Sequence, residues 1–243
     1  MKRLIMSFLA TLLISTGSHA TTVFIVGDST ASIKAAKDRP ETGWGEAFKN
    51  LLPENIALEN VAKNGRSTRS FVAEGRWQAV VDQLNAGDIV LIQFGHNDQK
   101  LYDRKRFTDP WRDYPQYLRT FVEDTRAKGA HPVLITPIAR RKFDKDGNIE
   151  ATHRPYPEVV REMAKNLNAP LIDANTFSRQ WLLELGNEAS KNFFLHLPPS
   201  KHPNYPDGIA DDTHLNPNGA LVVATFVADE LKKLTGPYSV FSN

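Results

Sequence analysis

Uninterrupted apolar runs alternate along this chain with longer stretches whose apolar residues recur at helical spacing. Residues 23–26 (Val-Phe-Ile-Val) run without a break into Gly27, and residues 89–92 (Ile-Val-Leu-Ile) and 133–135 (Val-Leu-Ile) have the same character. Short apolar runs without polar alternation suit strands covered on both faces. Two further strands are predicted at about 56–61 and 171–173. Helical spacing predicts helices at about 44–52, 77–84, 117–128, 157–167 and 218–234. Gly129 ends the third of these helices, and Pro217 stands near the start of the last. Strands separated by helices imply a parallel sheet with helices on both faces, an α/β fold of three layers. Five such strands suggest a flavodoxin-like order, which periodicity alone does not fix. In sheets of this kind ligands bind beyond the carboxyl ends of the strands. Ser29, Gly65 and Asn97 follow the first, second and third strands, so their loops are expected on one edge.

The first twenty residues are set apart from this pattern. Lys2 and Arg3 precede an apolar stretch over 4–14 broken only by Ser7 and Thr11, and Ser18-His19-Ala20 follows. The order basic, apolar, small-x-small predicts a secretory signal peptide cut after Ala20, leaving residues 21–243 as a single domain. The alternative is an uncleaved anchor, for which the apolar stretch is short. The leader carries two positive charges and no acid, so the net charge of +2 for the whole chain falls to zero without it. A neutral chain is not a polyanion binder by bulk charge, which argues against nucleic acid as a partner. No membrane association is expected after cleavage. There is no cysteine. That excludes a lipoprotein anchor, disulfides and thiolate metal sites, and it fits export to a bacterial periplasm or the medium.

Four short motifs stand in a fixed order. They are Gly27-Asp28-Ser29-Thr30, Asn64-Gly65-Arg66-Ser67, Gly95-His96-Asn97-Asp98 and Asp211-Asp212-Thr213-His214. A serine hydroxyl needs a positioned base to become a nucleophile near neutral pH. His214 can take its proton, and Asp211 can hold the ring and stabilise the imidazolium. The N–H groups of Ser29 and Gly65 and the side-chain amide of Asn97 can serve as an oxyanion hole, glycine allowing close backbone approach. Each motif taken singly reads equally well as a turn or a helix cap. Asp212 competes with Asp211 for the carboxylate role. His96, His131, His153, His196 and His202 compete with His214, although none has an Asp at this spacing beside a helix start.

The four blocks resemble those of the SGNH (GDSL-like) hydrolase superfamily, in the positions of Ser29, Gly65, Asn97 and His214. Gly43-Trp44-Gly45, Asn64-Gly65-Arg66-Ser67 and the stretch from Thr136 through Asp144 to Tyr156-Pro157 are similar to segments of rhamnogalacturonan acetylesterases. Leu171-Ile172-Asp173 and the stretch from Asp211 to Ala220 extend the likeness nearly to the C-terminus. The resemblance implies a five-stranded flavodoxin-like α/β/α enzyme that removes acetyl groups from acetylated galacturonic acid in pectin, through an acetyl-enzyme on Ser29. It implies no metal and no cofactor.

Two basic segments suit such a polymer. Lys100, Arg104, Lys105, Arg106 and Arg112 are interleaved with Tyr102, Phe107, Trp111 and Tyr114, and Arg140-Arg141-Lys142 follows the fourth strand. Arginine forks carboxylates and aromatic faces pack on sugar rings, so Trp111, Arg112, Arg140 and Arg141 are candidate substrate contacts. A solvated charged loop pinned by core aromatics is the alternative. The function expected is therefore an exported pectin acetylesterase. An acetylesterase on xylan, a general short-chain esterase and a periplasmic sugar-binding protein are its rivals.

Overall fold

The structure, a computed structural model, describes residues 20–242. The expected leader lies outside the described residues, apart from Ala20 at its end. Strands β1 (Thr22–Gly27), β2 (Ala57–Asn60), β3 (Ile89–Gln93), β4 (His131–Ile135) and β5 (Leu171–Ile172) pair in parallel in the order β2-β1-β3-β4-β5. This is the flavodoxin-like order. The helices are α1 (Trp44–Phe48), α2 (Thr68–Ala73), α3 (Arg76–Val81), α4 (Asp113–Ala127), α5 (Tyr156–Asn166), α6 (Ala174–Ser190) and α7 (Pro217–Lys232).

The apolar runs become two-faced strands by strict alternation. On β1 and β3, Val23, Ile25, Ile89 and Leu91 pack with Trp44 and Phe48 of α1 and with Val223, Val227 and Leu231 of α7. Their neighbours Phe24, Val26, Val90 and Ile92 face the other way, onto Phe71 of α2, Trp77 of α3, Phe121 of α4 and Val159 of α5. Each such fully buried side chain stabilises the fold by about 1.5–3 kcal/mol. Two cores on opposite faces hold the sheet rigid, and rigidity fixes the loops at its edge.

Three elements escape the periodic pattern. Helix α2 is a six-residue turn, too short for its period to register. Helix α6 is broken in its last turns by Gly186, at φ 73°. The third is a small antiparallel pair, β6 (Phe194–Leu197) with β7 (Ile209–Leu215), which carries a register shift between Phe194 and Leu195. Its second strand reads Ile-Ala-Asp-Asp-Thr-His-Leu, polar enough to pass for a loop. Asp211 and His214 thus stand on a strand, and that strand runs directly into α7.

Candidate active site

The chain leaves β1 at Gly27, where any Cβ would lie 2.7 Å from the Gln93 carbonyl. Asp28 then builds the turn. Its Oδ1 accepts from Thr30 N (2.9 Å) and Thr30 Oγ1 (2.8 Å), and its carbonyl accepts from Ala31 N and Ser32 N. Gln93, fully buried at the end of β3, accepts from the Trp44 indole at 2.7 Å and lies 3.1 Å from Thr30 Oγ1, joining the turn to α1 inside the core. Gly43 lets α1 press on this turn, because a Cβ there would sit 2.2 Å from Ser32 O. Ser29 is held at the crest, 7 % exposed.

The β6–β7 hairpin brings the other partners to it. His214 Nε2 lies 3.0 Å from Ser29 Oγ, and His214 Nδ1 lies 2.7 Å from Asp211 Oδ2. The other Asp211 oxygen accepts from Thr213 N (2.7 Å) and His214 N (3.0 Å), so the carboxylate is locked from both sides. These partners assign the tautomer: Nδ1–H donates to Asp211, and the Nε2 lone pair accepts from the Ser29 hydroxyl. Burial pushes the Asp211 carboxyl up, but the hydrogen bonds and charge of His214 and the two backbone N–H groups outweigh it and hold the group at about 2. It therefore stays ionised wherever the histidine can work as a base.

In the loop after β2, which Lys34 joins to the serine loop through Asn64, Gly65 takes φ +76°, and Arg106 covers the side where a Cβ would stand, its Cζ 3.6 Å away. Asn97 Nδ2 donates to Arg66 O at 3.0 Å, which holds the amide and leaves its second N–H available. Among the described residues no protein acceptor takes the N–H of Ser29 or of Gly65. Such a set can hold an oxyanion. Asp98 ties the Asn97 loop to the start of α2, accepting at Oδ1 from Thr68 N (3.0 Å), Thr68 Oγ1 and Thr108 Oγ1 (3.0 Å).

Burial raises the Asp98 carboxyl to about 7, despite those donors. A raised folded-state value means that the folded protein holds a proton the unfolded chain has released. The stabilisation is complete below about pH 4 and is lost as pH rises to about 7. Comparing melting temperatures of wild type and Asp98→Asn over that window should show the wild type losing up to about 4 kcal/mol relative to the variant. Parallel pH curves would refute this.

Several residues around the site carry no signal in the sequence. Lys34, its side chain fully buried, sits among Ser29 O, Ser32 Oγ (3.1 Å), Asn64 Oδ1 (2.8 Å) and Glu41 Oε1 (2.7 Å). It fastens the serine loop to the Gly65 loop, and its partner Glu41 lies 3.8 Å from His214 Nε2. Lys34 belongs to a polar connection with no periodic signal, so only the fold brings it under the site. His96 competes with His214 on sequence grounds alone. It is instead buried in the floor of the cleft, its Nδ1 3.3 Å from Asp28 Oδ2 and its ring 4.1 Å from that of His153. Burial lowers its pKa, and Asp28 opposes that only in part.

The rivals for the Asp and His positions are sorted by contacts. Asp212 Oδ1 bonds His196 Nε2 at 2.7 Å and Arg141 Nε at 3.1 Å, away from Ser29. Of the four candidate substrate contacts, only Arg140 lines the cleft. Arg141 is buried and binds Asp212 and Asn187, bracing the hairpin rather than facing a ligand. Arg112 pairs with Asp113, and Trp111 is 65 % exposed, both outside the cleft wall. Asp109 holds their loop at the N–H groups of Trp111 and Arg112, and Asp113 pairs with Arg69 of α2 and ties the loop to it, contacts that leave no signal in the spacing. The cleft measures about 360 Å³ and holds Ser29, Asn97, Arg140 and His214. Among the described residues no cluster of three or more His, Asp or Glu side chains is arranged to hold a metal ion.

Comparison with known proteins agrees with this geometry. Residues 25–222 match the GDSL-like lipase/acylhydrolase family. The chain is 44 % identical over 215 residues to rhamnogalacturonan acetylesterase RhgT of Bacillus subtilis (strain 168), covering 88 % of this chain and 91 % of that one. It is 29 % identical to a rhamnogalacturonan acetylesterase of Emericella nidulans, over 84 % of this chain and 82 % of the other. Among solved structures, Axe2, an acetylxylan esterase from Geobacillus stearothermophilus, superposes with TM-score 0.61 at 20 % identity, over 86 % of this chain and 93 % of Axe2. That likeness speaks for the fold alone.

Proposed function

The chain belongs to the GDSL-like lipase/acylhydrolase family and is a carboxylic ester hydrolase, and from that premise we propose that it removes O-acetyl groups from acetylated rhamnogalacturonan. The chemistry rests on one observation, the unbroken hydrogen-bonded line from Ser29 Oγ through His214 to Asp211. The substrate rests on the 44 % identity to a rhamnogalacturonan acetylesterase. The basic, apolar and small-residue order of the first twenty residues supports export.

His214 takes the Ser29 proton as Oγ attacks the acetyl carbonyl. The tetrahedral oxyanion is held by Ser29 N–H, Gly65 N–H and the second amide N–H of Asn97. His214 then protonates the departing sugar oxygen and leaves an acetyl ester on Ser29. Water enters, gives its proton to His214 and attacks that ester. Acetate leaves and the Ser29 hydroxyl is restored. Asp211 keeps Nδ1 protonated throughout, so Nε2 alone exchanges the proton. Asn97→Ala removes one oxyanion donor and should lower kcat by about 100-fold or more. A loss confined to KM would assign Asn97 to binding instead.

The substrate is tested by measuring acetate release from acetylated rhamnogalacturonan beside acetylated xylan. Preference for the pectic polymer is expected. Equal rates, or activity on xylan alone, would keep the serine chemistry and discard the pectin assignment. A sugar-binding protein would release no acetate from either.

A further inference from the structure

The cleft around Ser29 is lined by two cations that the deacylation chemistry leaves unused, Arg140 and Lys100, together with Tyr102 at its rim. Arg140 reaches it from the segment after β4. Its guanidinium is half-buried, and its one hydrogen bond among the described residues runs from Nη1 to Thr213 Oγ1, at 2.7 Å. That bond places Arg140 one residue from His214 and leaves its other N–H groups without a protein acceptor among the described residues. Lys100 reaches the cleft from the loop after the neighbouring strand β3, three residues after Asn97, and is also half-buried. Neither cation meets a carboxylate at ion-pair distance among the described residues. By contrast, Arg141 and Arg106 are matched by Asp212 and Asp103.

Burying unpaired positive charge is costly unless something supplies the counter-charge. Burial lowers the Lys100 pKa and repulsion from Arg106 and Arg140 lowers it further, while the more distant carboxylates of Asp103 and Asp28 oppose this only in part. A third feature points to a ligand as well. His96 lines the same cleft at 2 % exposure, and its Nε2 has no hydrogen-bond partner among the described residues. A wall with two unpaired cations and an unpartnered ring nitrogen is built for a ligand that bears an anion beside hydroxyl groups.

We infer that Arg140 and Lys100 form a carboxylate subsite that grips an acidic sugar next to the acetyl ester held at Ser29. Guanidinium matches a carboxylate in bidentate fashion, while the ammonium of Lys100 adds a point charge in the same cleft. In naming a uronate the inference rests on the pectin reading above. The anion requirement itself comes from the two unpaired cations. Acetate, the product, is also a carboxylate, so the two sources must be separated.

The experiment follows inhibition of p-nitrophenyl acetate hydrolysis by galacturonate, by its methyl ester and by acetate, in wild type, Arg140→Gln and Lys100→Gln. Galacturonate should inhibit the wild type about tenfold more strongly than the neutral methyl ester, as expected for one charge-assisted contact. That ratio should fall towards one in Arg140→Gln and drop in part in Lys100→Gln. Each variant is its own reference, so a merely structural loss of rate does not move the ratio. If Arg140→Gln fails to fold, the wild-type ratio and Lys100→Gln still decide. Equal inhibition by acid and ester in the wild type, an unchanged ratio in the variants, or acetate matching galacturonate would each overturn the subsite. The assay needs no polymer. A protein that ignores acetylated rhamnogalacturonan but prefers galacturonate to its ester would therefore keep the subsite and lose the pectin reading, and the reverse result would do the opposite.

Discussion

Ser29→Ala is expected to lower kcat on acetylated rhamnogalacturonan by about ten-thousand-fold or more, with little change in melting temperature. The two halves of this expectation have separate causes. The hydroxyl is the atom that attacks, and no other side chain in the cleft combines a nucleophilic oxygen with a histidine at 3.0 Å. What remains without it is catalysis by the oxyanion donors and by binding. Stability is spared because the Ser29 hydroxyl makes one hydrogen bond, to His214 Nε2, at a position open to the cleft. The turn itself is held by Asp28, Thr30 and Lys34, through backbone and buried contacts that alanine leaves in place. Steady-state acetate release and thermal melts on the same preparations check both halves. Near-wild-type turnover would remove Ser29 from the mechanism.

Asp211→Asn should cost about as much, on the order of ten-thousand-fold in kcat, and the reason is the direction of one hydrogen bond. The asparagine carbonyl can keep the N–H groups of Thr213 and His214, which Asp211 Oδ1 now accepts. Its amide then faces His214 Nδ1 as a donor. The ring must answer with a bare Nδ1 and a protonated Nε2, and that tautomer cannot take the Ser29 proton. Geometry survives while chemistry stops. The neighbouring change, Asp212→Asn, is the control. Asp212 is half-exposed and serves His196 and Arg141, so its loss should lower kcat by less than about tenfold. Comparable losses in both variants would mean that the hairpin, rather than the Asp211–His214 bond, is what matters.

The parts of this site that could be read from the sequence are those whose signal is local. Apolar runs that stop at a glycine mark strand ends, so Ser29, Gly65 and Asn97 could be assigned to one edge before any fold was known. In the structure Ser29 and Asn97 line one cleft, and the Gly65 loop is tied to both through Asn64 and Arg66. The three-residue spacing of Asp211 and His214 was legible too. The strand that carries them was not, because β7 alternates around acidic residues and pairs with a single strand, β6, among the described residues. A buried charge is harder still. Lys34 lies in a stretch that reads as a solvated connection, and only the meeting of the Ser29, Glu41 and Asn64 loops turns it into a buried hub. Arg140 and Arg141 show the limit most plainly. They are neighbours of one residue type, yet one faces the cleft and the other is buried against the hairpin. Backbone direction at a loop decides between them, and it leaves no trace in composition or spacing.

The central claim is that the Ser29 hydroxyl, activated by His214, is the nucleophile. Treating the protein with a fluorophosphonate, then mapping the adduct by peptide mass spectrometry, tests it most directly. A single adduct is expected, on Ser29, with acetate release lost in proportion to labelling and no adduct in the Ser29→Ala protein. A protein that stays unlabelled while still releasing acetate, or one inactivated by an adduct elsewhere, would contradict it.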